Sequence, residues 1–351
     1  MGRVNKPFFD RNKFSLCSVP APVGYPQSMT HCGVFLDGGR VFLIASPYPV
    51  VYRSRLVEYW RCIINRLSNN HLFKTQNGEI FENPCLYVCT QSLESPTVFQ
   101  PVIDNPIEDT PSPLYNLPSY NSDPDLFIDD GVIYILNRAV HRKSDINGSV
   151  SCVINIIQYK GVWDGNSVRI IERRIIHNSN QSVLSPCQIR FKNKFYYFYI
   201  ESRSALDYTN FDGIYVAGMD DLSTNRDKLD YRRIRVLSQD WLPWHMSVFS
   251  CGDKLFALVS CVMSGDKTKK VWLMLGEFNE EITELTIYPK PLIDYNSYRS
   301  SACVDERGRF LLYATTVNEK IRGSKSVDGR DIIMATTDFS SLLFSLRNEL
   351  V

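Results

Sequence analysis

Hydrophobic and polar positions repeat along the chain in one layout. A polar residue opens a short apolar run, a turn containing Gly, Asp or Asn follows, and a second run rich in aromatic and β-branched residues returns. Such turn residues between two apolar runs are typical of β-hairpins. The layout occurs as HCGVFLDGGRVFLIAS (31–46), DPDLFIDDGVIYILNR (123–138), SPCQIRFKNKFYYFYIES (185–202), HMSVFSCGDKLFALVSC (245–261) and SSACVDERGRFLLYATT (300–316).

Further strand-like runs follow four of these hairpins, at residues 151–159, 213–219, 270–278 and 331–337. Each unit therefore has the composition of about four antiparallel strands, which is the blade of a β-propeller when it is repeated radially. Five hairpins predict an all-β fold, a five-bladed β-propeller that occupies residues 1–351 as a single domain. A two-sheet sandwich with coincidental spacing is the alternative.

Two stretches interrupt the repeat. Apolar residues recur at helical spacing between residues 53 and 70, which predicts an amphipathic helix inserted in blade one. Prolines are dense between Pro101 and Pro118, and proline at this density cannot belong to a central strand. This second stretch is therefore predicted to be an extended connection between blades one and two.

Composition excludes several classes of protein. With 44% hydrophobic residues the chain can bury a core, and its net charge of +1 disfavours nucleic acid or a membrane as partner. No signal peptide and no membrane-spanning run is recognisable, so a cytoplasmic or virion-associated protein is expected. The ten cysteines contain no CxxC pair and are predicted to be free, buried thiols. The oligomeric state is left open.

Polar residues open all five hairpins. In a propeller the first strand of each blade lines the central channel, so these positions are predicted to converge at its mouth. Singly, each residue has a structural explanation as a turn former or a buried core side chain. Together they bring imidazoles, a carboxylate, hydroxyls and a guanidinium to one polar-ligand site. Its members are His31, Asp123, Ser185, His245 and Ser300, with Trp244 and Arg299 beside them.

Aromatic residues near the same segments provide apolar surfaces against which sugar rings can stack. They are Tyr48, Tyr115, Trp241, Trp244, Tyr295 and Tyr298.

These motifs resemble a known group. Asp-Pro at residue 123, Ser-Pro at 185, Trp-His at 244 and Tyr-Arg-Ser-Ser at 298 resemble the furanosidase clan of glycoside hydrolases, in particular family 43-like proteins of a bacterial and phage branch. The clan uses three carboxylates, in blades one, two and three. By position these fall on His31, Asp123 and Ser185, of which only Asp123 has a carboxylate.

The resemblance implies a protein that acts on a poly- or oligosaccharide in the central cavity by inverting hydrolysis. Asp123 is expected to be the general base, and His245 or Glu82 the general acid; Asp125 is a further candidate for the second carboxylate. Two carboxyl groups about 6.5–9.5 Å apart would suit inversion. Substrate-binding residues are predicted to be His31, Trp244, Arg299, Asp125, Ser185 and Ser300.

Two further expectations remain open. No cofactor is expected, although the resemblance permits a structural calcium ion in the channel at His245. A catalytically silent glycan-binding or structural propeller, associated with a phage virion or a capsule, is the alternative function.

Overall fold

The structure is a computed structural model that describes residues 6–48, 51–54, 81–144, 146–147, 150–203, 211–238, 240–265, 270–293, 297–322 and 325–349. Strands dominate these residues. The helix predicted over residues 53–70 overlaps a strand at residues 53–54, and its remainder lies outside the described residues, as does Tyr295. Within the described part, no helix is both long and apolar enough to cross a membrane.

The first two sheets have four strands each. The first contains, in spatial order, β2 (Ser28–Asp37), β3 (Arg40–Tyr48), β5 (Cys85–Cys89) and β6 (Phe99–Pro101). The second contains β7 (Tyr120–Asp129), β8 (Val132–Ser144), β9 (Val150–Trp163) and β10 (Val168–Ser179).

The next sheet has eight strands. One half contains β11 (Ser182–Phe191), β12 (Lys194–Ser202), β13 (Phe211–Met219) and β14 (Arg232–Leu237). The other half contains β15 (Trp241–Cys251), β16 (Lys254–Met263), β17 (Val271–Phe278) and β18 (Glu284–Ile287). The two antiparallel halves join through a parallel pairing of β14 with β18.

The last sheet combines both ends of the described chain. It contains β19 (Ser301–Val304), β20 (Arg309–Arg322), β21 (Lys325–Asp338), β1 (Ser15–Leu16) and β4 (Val51–Ser54). Here β1 pairs antiparallel with β21, with Leu16 opposite Ile333. Pairing between the two ends therefore ties the first segment of the chain to the last sheet.

Five strands form a closed ring at the centre. The strand β2 contacts β7, β7 contacts β11, β11 contacts β15, β15 contacts β19, and β19 contacts β2. Each is the first strand of a predicted hairpin and pairs antiparallel with the next strand in sequence. The predicted hairpins are therefore present, and the architecture is an all-β, propeller-like fold.

Apolar residues of adjacent sheets fill the space between them. Ile44 of the first sheet packs in one cluster with Ile133 and Ile135 of the second. Leu136, from the second sheet, packs with Tyr197 of the next sheet in another cluster. Alternation along a strand sends neighbouring side chains to opposite faces, so inner strands such as β8 are buried on both faces, whereas the outer strand β10 is largely exposed. This packing fixes the positions of the ring strands.

The helix α1 (Phe339–Arg347) was not predicted from the sequence. Asp338 caps it, since one carboxylate oxygen accepts the backbone N–H of Ser341 at 2.7 Å. Phe339 and Leu342 pack into an apolar cluster with Phe310. Its nine residues are too few for the helical period to stand out in a strand-rich sequence.

The cysteines agree with the prediction of free thiols. Each cysteine within the described ranges is unbridged, and all of these except Cys251 are buried. Burial raises the pKa of the Cys32 thiol to about 11 and that of the Cys303 thiol to about 12. The protonated thiols behave as small apolar side chains.

Candidate functional site

Three ring strands have a strained bulge at their fourth residue. His31 (φ 54°), Asp123 (φ 49°) and Ser185 (φ 48°) adopt the left-handed backbone region. The pairing register of each strand shifts at that residue, so an extra residue is inserted there. A non-glycine residue in this region costs about 1–3 kcal/mol, and such strain clusters at functional sites. The repeated bulges direct three polar side chains inward at one end of the ring.

Asp123 lies at the centre of this end. It is 0% exposed, and its Oδ1 lies 3.1 Å from Nδ1 of His31 and 3.4 Å from Nδ1 of His245. Its Oδ2 accepts the backbone N–H of Ser185 at 3.1 Å and lies 3.7 Å from Nη1 of Arg138. One carboxylate therefore contacts or closely approaches residues from four strands.

The charge of Asp123 is set by two opposing effects. Burial alone would raise the pKa of its carboxyl group. His245, His31 and Arg138 outweigh that effect and hold the pKa well below its ordinary value. Asp123 is therefore ionised at neutral pH.

His245 has the opposite balance. Burial lowers the pKa of its imidazole to about 3, although nearby Asp123 acts to raise it. The ring is therefore neutral at neutral pH, which does not suit the acid role predicted from the sequence. Ser185 Oγ lies 2.9 Å from Nδ1, the nitrogen that Asp123 also approaches. In a serine-hydrolase triad these two groups use different ring nitrogens, so the arrangement is not such a triad.

Glu82 reaches the same site from the segment before β5. Its Oε2 lies 3.5 Å from Nε2 of His31, and the residue is 5% exposed. Since Nδ1 of His31 faces Asp123, one imidazole ring lies between two carboxylates. When protonated, that ring has one N–H for each of them.

Arg299 and Asp125 have their partners inside the ring. Arg299 is 0% exposed; its Nη1 donates to the carbonyls of Asp123 (2.7 Å) and Pro124, and its Nη2 donates to Asp125 Oδ1 (2.6 Å) and the carbonyl of Pro186 (3.3 Å). Burial raises the pKa of Asp125 to about 6, against the effect of the guanidinium. The arginine thus links the ring strands β7 and β11 through its hydrogen bonds to both.

Ser300 also lies within the protein. It is 2% exposed, and its hydroxyl donates to the carbonyl of Tyr298 at 3.1 Å. Its hydroxyl also lies 2.9 Å from that of Ser297. These contacts keep Ser300 in the wall of the site.

Aromatic rings lie beside His245 and His31. Trp244 is partly exposed, with its ring 5.1 Å from that of Tyr298 and 4.4 Å from that of His245. The guanidinium of Arg330 lies between the rings of Tyr48 (3.5 Å) and Tyr298 (3.7 Å). Trp244 is thus placed where a ligand could stack, whereas one face of the Tyr298 ring is covered by Arg330.

Trp241 and Tyr115, which were also predicted to stack against a sugar, have other surroundings. Trp241 is 5% exposed and belongs to an apolar cluster, so it is a core residue. Tyr115 is 39% exposed and lies under the ammonium group of Lys143.

Sequence reasoning missed two arginines, Arg138 and Arg330. Asn137 and Arg138 interrupt an otherwise apolar run from Val132 to Val140, and an interior polar pair of this kind was the available signal. Arg330 had no comparable signal, because its contact with Thr30 (Nη1 to Oγ1, 3.1 Å) spans 300 residues.

His31, Asp123 and His245 form a group that could hold a metal ion, since one ligand atom from each lies within 4.8 Å of the others. Calcium takes six to eight oxygen ligands. Two imidazoles and one carboxylate do not match that donor set and instead suit ions that accept nitrogen ligands. The structural calcium ion that the sequence resemblance permits therefore does not fit these residues.

The buried His245 should make stability depend on pH. Between its folded pKa of about 3 and its ordinary value of about 6.5, the unfolded chain binds a proton that the folded chain does not. Stability is therefore lost as the pH falls through this window, by about 1.4 kcal/mol per pH unit.

In His245→Gln this dependence is removed, whereas His141 and His177 remain in both proteins. The stability advantage of the unmodified protein over the variant should shrink by roughly 1 kcal/mol per unit between pH 6.5 and 4.5. Urea unfolding at several pH values measures it. An advantage that stays constant with pH would show that the imidazole is not held neutral by burial.

Comparison with known proteins finds similarity at the level of structure. No family model matches the sequence, and no curated protein matches it. A xylan β-1,4-xylosidase from Bacillus halodurans C-125 superimposes with a TM-score of 0.57 at 12% identity, over 88% of this chain and 53% of that one.

Two further structures cover most of both chains. A GH43_1 enzyme from Xanthomonas citri has a TM-score of 0.54 at 10% identity, over 92% of this chain and 90% of that one. A mannose phosphorylase from Leishmania mexicana, in complex with phosphate ion, has a TM-score of 0.52 at 10% identity, over 93% and 88%. The chain therefore shares the fold of the furanosidase-clan glycoside hydrolases, as the sequence resemblance indicated.

Proposed function

We propose that the chain is a carbohydrate-active protein that binds a poly- or oligosaccharide at the mouth of a five-bladed propeller and hydrolyses it with inversion. The closed cycle of β2, β7, β11, β15 and β19 supports the count of five. On this count the eight-stranded sheet consists of two blades, joined by the parallel pairing of β14 with β18.

The state of Asp123 is the observation that carries the proposal. An ionised carboxylate with no exposed surface lies at the centre of the ring, on strained backbone, between two imidazoles. Burying a charge is costly unless neighbouring groups compensate for it. A purely structural propeller has no need of such an arrangement, whereas a glycosidase needs a poised carboxylate.

In this proposal Glu82 is the general acid of the hydrolysis and Asp123 is the general base. The two carboxylates lie on opposite sides of the His31 ring, and inversion uses the wider of the two carboxyl separations found in glycosidases. The ring of His31 fills the gap between them, so in this proposal it turns aside when a sugar and a water molecule enter. Glu82 then protonates the leaving oxygen, and Asp123 takes the proton of the attacking water.

Other residues bind the glycan or hold the site in shape. Trp244 offers a ring face to a sugar. Arg299, Asp125 and Ser300 bind each other or the backbone, so they are positioning residues in this proposal rather than groups that contact the glycan.

Glycan binding without cleavage is the second candidate. It is favoured by the same imidazole, because His31 occupies the gap where a water and a sugar would have to lie. If that ring cannot leave, the site at the mouth retains its aromatic surfaces but has no room for the reaction.

A panel of oligosaccharides tests the proposal and separates the two candidates. The similar structures include a xylosidase and a mannose phosphorylase, so the panel should hold xylo- and manno-oligosaccharides, with and without phosphate. Cleavage with inverted anomeric configuration supports hydrolysis. Binding without cleavage supports the glycan-binding protein. If no oligosaccharide of the panel is either cleaved or bound, both candidates are contradicted.

Trp244→Ala should weaken binding of the oligosaccharide about two- to tenfold, because an aromatic stacking contact contributes roughly 0.5–1.5 kcal/mol. Isothermal titration with an oligosaccharide that the panel identifies measures the loss. Phe344→Ala is the matched control, since Phe344 is 71% exposed on α1 and should leave affinity unchanged. Equal affinity of Trp244→Ala and the unmodified protein would exclude this ring as a glycan platform.

A further inference from the structure

Arg138 lies in an unusual place for a charged side chain. It belongs to β8, opposite Ser122 and next to the bulge that carries Asp123. Alternation along the strand puts it on the same face as Leu136 and Val140, which pack into the apolar cluster between the second sheet and the next. A charged side chain thus shares a strand face with apolar residues, and its guanidinium lies near Asp123.

Two of the three guanidinium nitrogens of Arg138 have no hydrogen-bond partner among the described residues. The residue is 3% exposed, and neither Nε nor Nη2 has a hydrogen-bond partner among them. Its nearest counter-charge is Asp123, whose Oδ2 lies 3.7 Å from Nη1, beyond hydrogen-bonding distance. Leaving a buried charged donor unsatisfied costs on the order of 1–3 kcal/mol or more. The fold therefore tolerates an expensive group beside its central carboxylate.

Two other buried arginines, Arg299 and Arg226, use both of their terminal nitrogens in hydrogen bonds. Both terminal nitrogens of Arg299 donate to oxygen atoms, and those of Arg226 donate to the carbonyls of Leu222 and Thr224 and to Gln188 Oε1. Among the three, Arg138 alone has a terminal nitrogen, Nη2, that is enclosed without any acceptor. Imperfect packing common to all buried arginines does not explain that difference.

We propose that Arg138 is an oxyanion-binding residue of the glycan site. The guanidinium lies beside Asp123, with Nη1 3.7 Å from Oδ2, so its unpartnered Nε and Nη2 border the group formed by His31, Asp123 and His245. The occupant is a group with negatively charged oxygens: the carboxylate of an acidic sugar, or free phosphate bound beside the sugar. This inference rests on the proposed glycan site and specifies the charge of its ligand.

An anion fits this residue better than a neutral hydroxyl group. A hydroxyl oxygen accepts a hydrogen bond but brings no negative charge, so the guanidinium would still have only the 3.7 Å approach of Asp123 as a counter-charge among the described residues. Carboxylate and phosphate oxygens satisfy the donors and the charge together, and a guanidinium binds them in a bidentate geometry. Asp123 cannot do this alone, because its Oδ2 already accepts the N–H of Ser185 and its Oδ1 lies between two imidazoles.

Isothermal titration of the full chain with three probes tests the proposal. The probes are a neutral xylo-oligosaccharide, the same oligosaccharide carrying one glucuronic acid residue, and inorganic phosphate. The unmodified protein should bind at least one anionic probe, with a tenfold or greater preference of acidic over neutral oligosaccharide if the carboxylate is the occupant. Arg138→Met should lose that preference or the phosphate binding, and Arg138→Lys should retain part of it.

The two sources of the anion give different results. Binding of phosphate alone, or tighter binding of the neutral oligosaccharide in its presence, identifies a free anion. Preference for the acidic oligosaccharide with no response to phosphate identifies a charged sugar. Arg190→Met is the matched control, because Arg190 has a side chain 48% exposed and pairs with Asp129 at the far end of β7. It should leave all three affinities unchanged.

Failure of the inference and failure of the proposed function are distinguishable. If the unmodified protein shows neither a preference for the acidic oligosaccharide nor any response to phosphate, or if Arg138→Met keeps that preference or response, Arg138 is not an oxyanion site. Glycan retention that persists in that case leaves the proposed function intact. The comparison among probes uses the unmodified protein, so it decides the question even if the Arg138 variants do not fold.

Discussion

Replacing Arg299 by methionine should lower the free energy of unfolding by about 3–5 kcal/mol. The guanidinium makes hydrogen bonds to Asp123, Pro124, Asp125 and Pro186, and none of its surface is exposed. The variant leaves the carboxylate of Asp125 buried without its cation. Urea unfolding followed by circular dichroism measures the change, provided the transition is a single cooperative step.

A double variant separates the ion pair from the other contacts. Arg299→Met with Asp125→Asn removes both charges, so it should be less destabilised than the sum of the two single variants. Arg307→Ala is the control, because that side chain is 75% exposed and its loss should change stability by no more than about 0.5 kcal/mol. A loss below about 1 kcal/mol for Arg299→Met would show that the ring does not depend on this residue.

Asp123→Asn should reduce hydrolysis of the preferred oligosaccharide by about 10²–10⁴-fold, the range attributed to general acid–base catalysis. The substitution preserves size and removes the negative charge that faces His31 and His245. The base assigned in the proposal is then absent. Initial rates measured with saturating and with limiting substrate show whether the loss lies in kcat or in binding.

The control for this variant is Asp129→Asn, on the same strand. Asp129 pairs with Arg190 at 3.0 Å near the opposite end of β7, so its variant should keep full activity. Both variants need unfolding curves, since a misfolded protein would also be inactive. Hydrolysis that survives in a folded Asp123→Asn protein would remove Asp123 from the mechanism.

Much of the architecture is predictable because its signals are local. Turn residues such as Gly38 and Gly131 stand between two apolar runs, and both take the positive φ that their hairpin turns require. The prediction that His31, Asp123 and His245 meet used one further step, the topology of a propeller. Their mutual distances in the structure agree with that step.

Other features depend on pairings that the sequence does not display. The hydrogen bond between Arg299 and Asp125 joins residues 174 positions apart, so the sequence does not show that the two side chains bind each other. Both residues were therefore predicted to bind substrate. The low pKa of His245 arises from burial by several strands together. The α1 helix was missed because nine residues give a weak periodic signal.

The joining of the two ends constrains how the protein can be made. Ser28 donates its hydroxyl hydrogen bond to the carbonyl of Arg330 across 302 residues, and β1 completes a sheet whose other members are mostly near the end of the sequence. A ribosome makes those partners some 302 residues after Ser28, and contacts at such separations form slowly because the intervening loop must close first. The early segments therefore have unpaired strand edges until their partners are made, and during that interval the nascent chain is exposed to aggregation.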